Sequence, residues 1–324
     1  MNFKKKIIGI ILGEPNSIFS ELIFKIWKKN KKNKLLPFIL IGNYSLIKKQ
    51  MEYLGYNFKL SKIDEKFNKL KTNTISILDI DFNQKKPFEK VSKKSNKLIS
   101  NSFKMGIQLI INKKISGIIN GPICKETFLL NKYNGMTEYI SSMVKSTGKE
   151  VMMIYNEKLS VVPLTTHIPI KRISSKLNKK LIVQKINTID LFYKKIFKKK
   201  PIIGITGLNP HCYTSEKQNE EIKIIRPAIK NLLNKRVKIS GPFPGDTIFL
   251  KKNRNKYNVI VGMYHDQVLA PLKSLYDFKA INITLGLPFI RVTPDHGIGT
   301  DIIKKNIADP SSLYECINFF KKIK

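Results

Sequence analysis

The sequence predicts an α/β protein with a largely parallel sheet. Short apolar runs recur along the 324-residue chain, and lysine-rich segments of helical length separate them. This alternation is typical of α/β proteins. The runs show no regular polar alternation, as expected for strands that are covered on both faces.

Eight runs are predicted to be strands, and each one is followed by a polar loop or a helix-length segment. In chain order they are IIGIIL (7–12), LLPFILIG (35–42), ISILDI (75–80), ISGIIN (115–120), LSVVPLTT (159–166), PIIGITG (201–207), YNVIVGM (257–263) and AINITLG (280–286). The first run follows three lysines, as in a signal peptide. Its apolar core is too short for one, and no small-residue cleavage site follows, so we expect a buried strand there.

The charge balance is strongly basic. The chain has 60 Lys and Arg against 23 Asp and Glu, which gives a formal net charge of +37. Only five of the basic residues are arginine, the side chain that nucleic-acid readers use for bidentate contacts. We therefore interpret most of the charge as solvated surface lysine, with a polyanion partner as the alternative. Three widely spaced cysteines predict neither a disulfide framework nor a CxxC metal site, so we expect a reducing cytoplasm.

Three of the four histidines occupy equivalent places in the chain. His167, His211 and His265 each follow a predicted strand and begin a polar loop. Because the carboxyl ends of parallel strands share one edge of a sheet, we expect the three imidazoles to meet there. Three imidazoles form a plausible divalent-metal site with open positions for substrate, and the alternative is three hydrogen-bonded loop histidines. Asp246 and Asp266 are candidates for further ligands or for groups that orient the ligands.

The glycine-proline loops carry no nucleotide fingerprint. Neither INGPICKE (119–126) nor GPFPGDT (241–247) matches GxGxxG or a Walker loop. In YHDQ (264–267), we expect His265 to bind metal, while Asp266 and Gln267 orient this ligand and its loop.

These motifs together resemble one enzyme family. MYHDQ, NITLGLPFIR and DHG, with TTHIP, LNPH, GPFPGDT and INGPICKE in the same order, are similar to the 4-hydroxythreonine-4-phosphate dehydrogenases of vitamin B6 synthesis. The resemblance spans nearly the whole chain. It implies two α/β/α domains like those of isocitrate and isopropylmalate dehydrogenases, with the active site in the interdomain cleft of a homodimer. The expected domains are 1–125 with 273–324 on the cofactor side, and 126–272 for metal binding and dimerisation.

The resemblance also implies a set of site residues. Metal ligands fall on the three histidines already identified, His167, His211 and His265. Substrate contacts fall on Met136, Thr137, Lys273, Asn282 and Arg291, and cofactor contacts on His296, Gly297, Asp301 and Asp309. Met136 stands where the family has histidine, and Lys304 and Asn306 stand where its cofactor loop has glycines. The implied cofactors are NAD or NADP and one divalent ion, which is zinc, magnesium or cobalt.

The implied reaction oxidises 4-phosphooxy-L-threonine and decarboxylates the product to 3-amino-2-oxopropyl phosphate. Lys273 is expected to relay a proton or to neutralise developing charge, and Asp246 is the rival general base. A first alternative is a sister dehydrogenase that acts on threonate or erythronate phosphate, since the same metal and lysine would serve it. A second alternative is a decayed enzyme that acts as a basic polyanion-binding protein. No nucleic-acid specificity and no membrane association are expected.

Overall fold

The computed structural model describes residues 7–323, except 34, 68–69, 72, 131, 134, 147, 214 and 216–218. All eight predicted strands are confirmed within this part of the chain, and four further strands accompany them. The strands are β1 Ile8–Ile11, β2 Phe38–Gly42, β3 Leu60–Ile63, β4 Ile75–Asp79, β5 Gly117–Asn120, β6 Val151–Tyr155, β7 Ser160–Thr165, β8 Ile203–Thr206, β9 Ile239–Phe243, β10 Val259–Tyr264, β11 Ile281–Leu285 and β12 Arg291–Pro294.

Helices separate most of the strands, as the lysine-rich segments predict. They are α1 Phe19–Asn33, α2 Tyr44–Tyr53, α3 Asn96–Ile111, α4 Lys125–Phe128, α5 Met136–Met143, α6 Ile173–Lys176, α7 Lys179–Phe197, α8 Arg226–Asn234, α9 Gly245–Ile248, α10 Lys251–Arg254, α11 His265–Tyr276 and α12 Ser311–Lys322. Short 3₁₀ turns cover Lys93–Ser95, Ile170–Arg172 and Pro210–Cys212, and a π-helical turn, Glu221–Ile225, leads into α8.

One of two compact units contains residues up to Tyr139 together with Phe289–Lys322. Its strands lie in the order β3-β4-β2-β1-β5-β12, and every neighbouring pair is parallel. The central strand β1 is buried along its whole length, because the helices of the unit cover both faces of the sheet.

The other unit contains Ile140–Pro288. Its strands lie in the order β11-β6-β7-β10-β8-β9. The segment β7-β10-β8-β9 is parallel, whereas β6 runs antiparallel to both β11 and β7. A mixed α/β fold with a mostly parallel sheet, as predicted, is therefore confirmed.

The core of this second unit supports the helix that begins with His265. Val268, Leu269 and Leu272 on α11 pack with Val161 of β7 and Ile260 of β10, and all five are buried. The apolar face of α11 thereby fixes the helix against the two strands whose ends carry His167 and His265. Among the described residues, no helix combines the length and the apolarity that crossing a membrane requires.

Candidate functional site

Three neighbouring parallel strands deliver the three predicted histidines to one edge of the second unit. His265 follows β10 directly, and His167 comes two residues after β7, which pairs with β10. His211 lies in the turn after β8, the strand on the other side of β10. The carboxyl ends of these strands point to the same edge, which is where open α/β sheets bind ligands.

The structure brings two of the imidazoles close together. The ring centroids of His167 and His265 are 5.8 Å apart. His167 and His211 are exposed, and both have left-handed backbone conformations, with φ of 52° and 55°. This conformation costs roughly 1–2 kcal/mol in a residue with a Cβ, so the surrounding structure must impose it.

Asp266 orients the His265 ring, as the sequence predicts. Its Oδ1 lies 2.6 Å from Nδ1 of His265. A carboxylate on one ring nitrogen directs the other nitrogen, Nε2, outward, an arrangement that is common among metal-binding histidines.

The Gln267 side chain connects the ends of β8 and β10. Its Oε1 accepts hydrogen bonds from the Met263 N–H at 2.7 Å and from the Thr206 hydroxyl at 2.9 Å. Its Nε2 donates to the Gly207 carbonyl at 2.8 Å. The Thr165 hydroxyl at the end of β7 donates to the Met263 carbonyl at 2.7 Å. These four bonds hold together the three strand ends that precede the histidines.

The buried carboxylate of Glu221 holds the turn that carries His211. Its Oε1 accepts from the backbone N–H groups of Leu208 and Asn209, each at 2.8 Å. Glu221 is fully buried. A sequence signal for its role exists, since Glu220 and Glu221 are adjacent acids in a lysine-rich chain close to His211. Neither residue is predicted from the motifs of the sequence.

The donor set fits a divalent ion. With Zn–N bonds of about 2.1 Å and a tetrahedral angle, two imidazoles on one ion have centroids roughly 5–6 Å apart, which matches His167 and His265. In the described part of the chain, no three His, Cys, Asp or Glu side chains are gathered around one point, so His211 is not in the same cluster. Because His211 is exposed, rotation about χ1 is open to its side chain. Cys212 is buried, and burial raises the pKa of its thiol.

The two candidates for proton transfer lie at exposed positions of the second unit. Lys273 is in the last turn of α11, about 12 Å along the helix axis from His265 at 1.5 Å per residue. Asp246 is in the first turn of α9. Both side chains are therefore open to solvent in the unit that carries the three histidines.

The predicted substrate residues divide between the two units. Arg291 is buried at the start of β12, and its Nε donates to Oδ1 of Asn120 at 2.7 Å. Burial lowers the pKa of Arg291 to about 10. Asn282 lies in β11, and its Oδ1 is buried without a hydrogen-bond partner among the described residues. Met136 and Thr137 begin α5, and both are partly exposed.

The predicted cofactor residues all belong to the first unit. Nδ1 of His296 bonds to the Gly297 carbonyl at 2.9 Å, so it carries the proton in the neutral ring. Nε2 is then an acceptor, and it is buried without a partner in the described chain. Burial lowers the pKa of His296. A neutral acceptor of this kind fits a hydroxyl or amine donor, both of which a nicotinamide dinucleotide carries.

Hydrogen bonds connect the loop that contains Asp301 and Asp309 to α1. The Ala308 N–H donates to Glu21 at 2.7 Å, and Lys25 donates to the Ala308 carbonyl at 2.7 Å. Glu21 and Lys25 also form an ion pair at 2.8 Å. Asp309 accepts from the N–H and the hydroxyl of Ser311, which lowers the pKa of Asp309.

The same loop keeps a backbone that is typical of glycine. Lys304 and Asn306 have φ of 73° and 55°, both left-handed. The resemblance places glycine at these two positions, and glycine adopts a left-handed backbone without steric cost. Asparagine tolerates this region better than lysine does.

A mostly parallel α/β fold with imidazoles at the carboxyl edge of one unit, and a buried acceptor in a loop of the other, is typical of α/β enzymes that bind ligands at their strand ends. The model of the family "Pyridoxal phosphate biosynthetic protein PdxA" matches residues 34–320. The chain therefore belongs to the PdxA family of pyridoxal phosphate biosynthetic proteins, and it is an oxidoreductase.

Individual relatives agree with this assignment. The chain is 36% identical to the 4-hydroxythreonine-4-phosphate dehydrogenase of Sulfurihydrogenibium sp., over 96% of each chain. It is 31% identical to a D-threonate 4-phosphate dehydrogenase of Salmonella typhimurium, over 92% of each. The solved 4-hydroxythreonine-4-phosphate dehydrogenase of Klebsiella pneumoniae superimposes with a TM-score of 0.84 at 29% identity, covering 97% of this chain and 98% of the other.

Replacing Gln267 by leucine tests the connection between the strand ends. Gln267→Leu keeps the approximate volume but leaves the Met263 N–H without its acceptor, which costs about 1–3 kcal/mol for a buried group. We expect urea denaturation to show a free energy of unfolding lowered by at least this amount. Asp266→Asn, at an exposed position, is the control. A Gln267→Leu variant as stable as the control would show that the connection contributes nothing.

The pH dependence of stability tests the burial of His296. Since burial lowers its pKa below the ordinary 6.5, the unfolded chain takes up a proton first as the pH falls. The contribution of His296 is therefore fully present above pH 6.5 and is lost as the pH falls through the lower, folded pKa. Between about pH 7.5 and 5.5, on either side of the ordinary value, we expect the wild type to lose more stability than His296→Gln. Equal losses in the two proteins would contradict the burial.

Proposed function

We propose that this protein is a 4-hydroxythreonine-4-phosphate dehydrogenase that uses NAD and a divalent metal ion. It oxidises 4-phosphooxy-L-threonine and releases carbon dioxide, which gives 3-amino-2-oxopropyl phosphate for vitamin B6 synthesis. The observation that carries the proposal is the approach of His167 and His265 at neighbouring strand ends, 5.8 Å between ring centroids, in a PdxA-family chain.

The reaction needs a place for each proton and electron pair. The secondary alcohol loses its hydroxyl proton to a base and its C–H hydride to the nicotinamide. The resulting β-keto acid loses carbon dioxide, and the enol carbon then takes up a proton. A bound divalent ion supplies Lewis-acid polarisation of the substrate oxygens. The proposed ligands are His167, His211 and His265.

The chain's own residues would hold the substrate and move the protons. Arg291 is a guanidinium fork that suits a phosphate or carboxylate, and its bond to Asn120 fixes the plane of the fork. The Oδ1 of Asn282, which has no hydrogen-bond partner among the described residues, suits the ammonium or a hydroxyl of the substrate. Thr137 is the proposed hydroxyl contact. Lys273 would relay the proton or neutralise developing charge, with Asp246 as the rival base.

The buried Nε2 of His296 would accept a hydrogen bond from the cofactor. Gly297, Asp301 and Asp309 follow in the same segment of the chain and are proposed as further cofactor contacts. NAD is the proposed cofactor, and NADP is the alternative. The active enzyme is proposed to be a homodimer with a shared active site in the cytoplasm.

A second candidate is a sister dehydrogenase for a phosphorylated four-carbon sugar acid. The Salmonella typhimurium relative named for D-threonate 4-phosphate favours it. NADH formation with 4-phosphooxy-L-threonine, D-threonate 4-phosphate and D-erythronate 4-phosphate, each with and without a chelator, separates the two. The proposed function requires the first substrate to have the highest kcat/KM. A preference for a sugar acid would replace it with the second candidate.

Removing each histidine tests the metal site. We expect His167→Ala, His211→Ala and His265→Ala each to abolish turnover and to lower bound zinc below one ion per chain, while circular dichroism stays unchanged. A structural role would instead lower stability without changing metal content. Near-normal turnover at limiting metal in any one variant would exclude that histidine from the site.

Restoring the family histidine tests position 136. A charge-assisted hydrogen bond to an anionic group contributes roughly 1.5–3 kcal/mol, and methionine cannot donate one. We expect Met136→His to lower KM for 4-phosphooxy-L-threonine by about ten- to a hundredfold, with little change in kcat, since the contact is remote from the reacting carbon. Saturation curves with excess NAD measure both constants. An unchanged KM would show that position 136 does not face the substrate.

A further inference from the structure

Two adjacent carboxylates share the side-chain amide of one asparagine. Nδ2 of Asn209 donates to Oε2 of Glu221 at 2.7 Å and to Oε2 of Glu220 at 3.1 Å. Both amide hydrogens of Asn209 are therefore used by acids, and the amide is held in one orientation. Asn209 lies two residues before His211, at the start of the turn that carries this histidine.

The remaining oxygens of the two acids reach different segments. Oε1 of Glu221 accepts the N–H groups of Leu208 and Asn209, which fixes the backbone of the His211 turn. Oε1 of Glu220 accepts from the hydroxyl of Ser174 in α6, and this bond lowers the pKa of Glu220. Since α6 follows the loop of His167, the acid pair joins the segments that contain two of the proposed ligands.

Space around the pair is restricted. A Cβ on Gly207 would lie 2.9 Å from Oε1 of Glu221 and 2.8 Å from Sγ of Cys212. The carboxylate of Glu221 therefore lies against the backbone at the end of β8. The Asn209 amide donates to both acids, and each acid acts as an acceptor.

We propose that Glu220, Glu221 and Asn209 form a positioning unit that sets the His211 turn relative to the His167 loop, and so determines the affinity for the divalent ion. None of the three is proposed to touch the ion. The inference rests on the proposed function, because it takes His167, His211 and His265 as the ligands. These three residues act by fixing the direction of their hydrogen bonds. Exchanging donors and acceptors among them is therefore the decisive test.

The two acids differ in how they tolerate replacement by glutamine. In Glu221→Gln, the new side chain must keep its oxygen towards the two backbone N–H groups, which directs its NH₂ at the NH₂ of Asn209. In Glu220→Gln, the new side chain can keep its oxygen towards Asn209, because the Ser174 hydroxyl is able to accept as well as donate. In Glu220→Gln/Glu221→Gln, Asn209 can turn over and accept from both new amides. Adding the substitution at position 220 should therefore repair the damage caused at position 221.

Isothermal titration calorimetry of the metal-free full-length protein with Zn²⁺ alone measures the Zn²⁺ affinity of each variant. We expect Glu221→Gln to weaken Zn²⁺ binding about 10–100-fold, as loss of an orienting partner does in other metal sites. We expect Glu220→Gln to change it by less than about threefold, and the double variant to bind at least about fivefold more tightly than Glu221→Gln. The control is Glu52→Gln, an exposed acid on α2, which should bind as the wild type does.

The outcomes are separable from failure of the proposed function. If wild-type protein binds no Zn²⁺, the metal site itself is wrong. If the wild type binds and Glu221→Gln binds equally well, or the double variant shows no recovery, the positioning unit is wrong. A fall in thermal stability without a change in Zn²⁺ affinity would also overturn it.

A second variant covers the case in which Glu221→Gln does not fold. Asn209→Ala leaves the bonds from Glu221 to the backbone in place and removes only the shared amide. We expect it to fold and to weaken Zn²⁺ binding by about tenfold, within the range for orienting residues. Unchanged affinity in Asn209→Ala would overturn the inference.

Discussion

The arrangement of the site depends on the backbone of a single residue, Met263, near the end of β10. Its N–H donates to Oε1 of Gln267 at 2.7 Å, and its carbonyl accepts from the hydroxyl of Thr165 at 2.7 Å. Gln267 also bonds Thr206 and Gly207 at the end of β8. Three strand ends are thus joined at one point by bonds that leave little freedom of register. The histidines follow these ends within five residues, so the sheet brings their three loops to one edge.

An unfavourable backbone conformation occurs at two of the proposed metal ligands. His167 and His211 both have left-handed φ, and neither is a glycine. Glu221 supplies part of the compensation for His211, since its carboxylate accepts two successive N–H groups of the turn. Backbone strain in a fold is commonly concentrated at functional positions, where the surrounding structure over-determines the conformation. Here the over-determination comes from a buried carboxylate and a side-chain amide, which are directional contacts.

Much of the fold was predictable because buried parallel strands are continuous apolar runs. The strands that escaped prediction include β3 and β9, which lie at the outer positions of their units and are only partly buried, so their sequences lack such runs. β12 begins with a buried arginine, so its sequence is not a continuous apolar run. The positions of the three histidines at one edge of the sheet were predictable from their places after strands. The bonds of Glu221 and Gln267 were not, because Gln267 reaches partners about sixty residues away that become neighbours only when β8 and β10 pair.

The central claim is that His167, His211 and His265 bind one divalent ion. Anomalous diffraction at the zinc edge from crystals grown with Zn²⁺ tests it most directly. The account predicts one peak in each chain, about 2.1 Å from an imidazole nitrogen of each of the three histidines. His211, which is not gathered with the other two in the described part of the chain, would have turned towards the peak. No peak at this edge of the sheet, or a peak held by other side chains, would contradict the account.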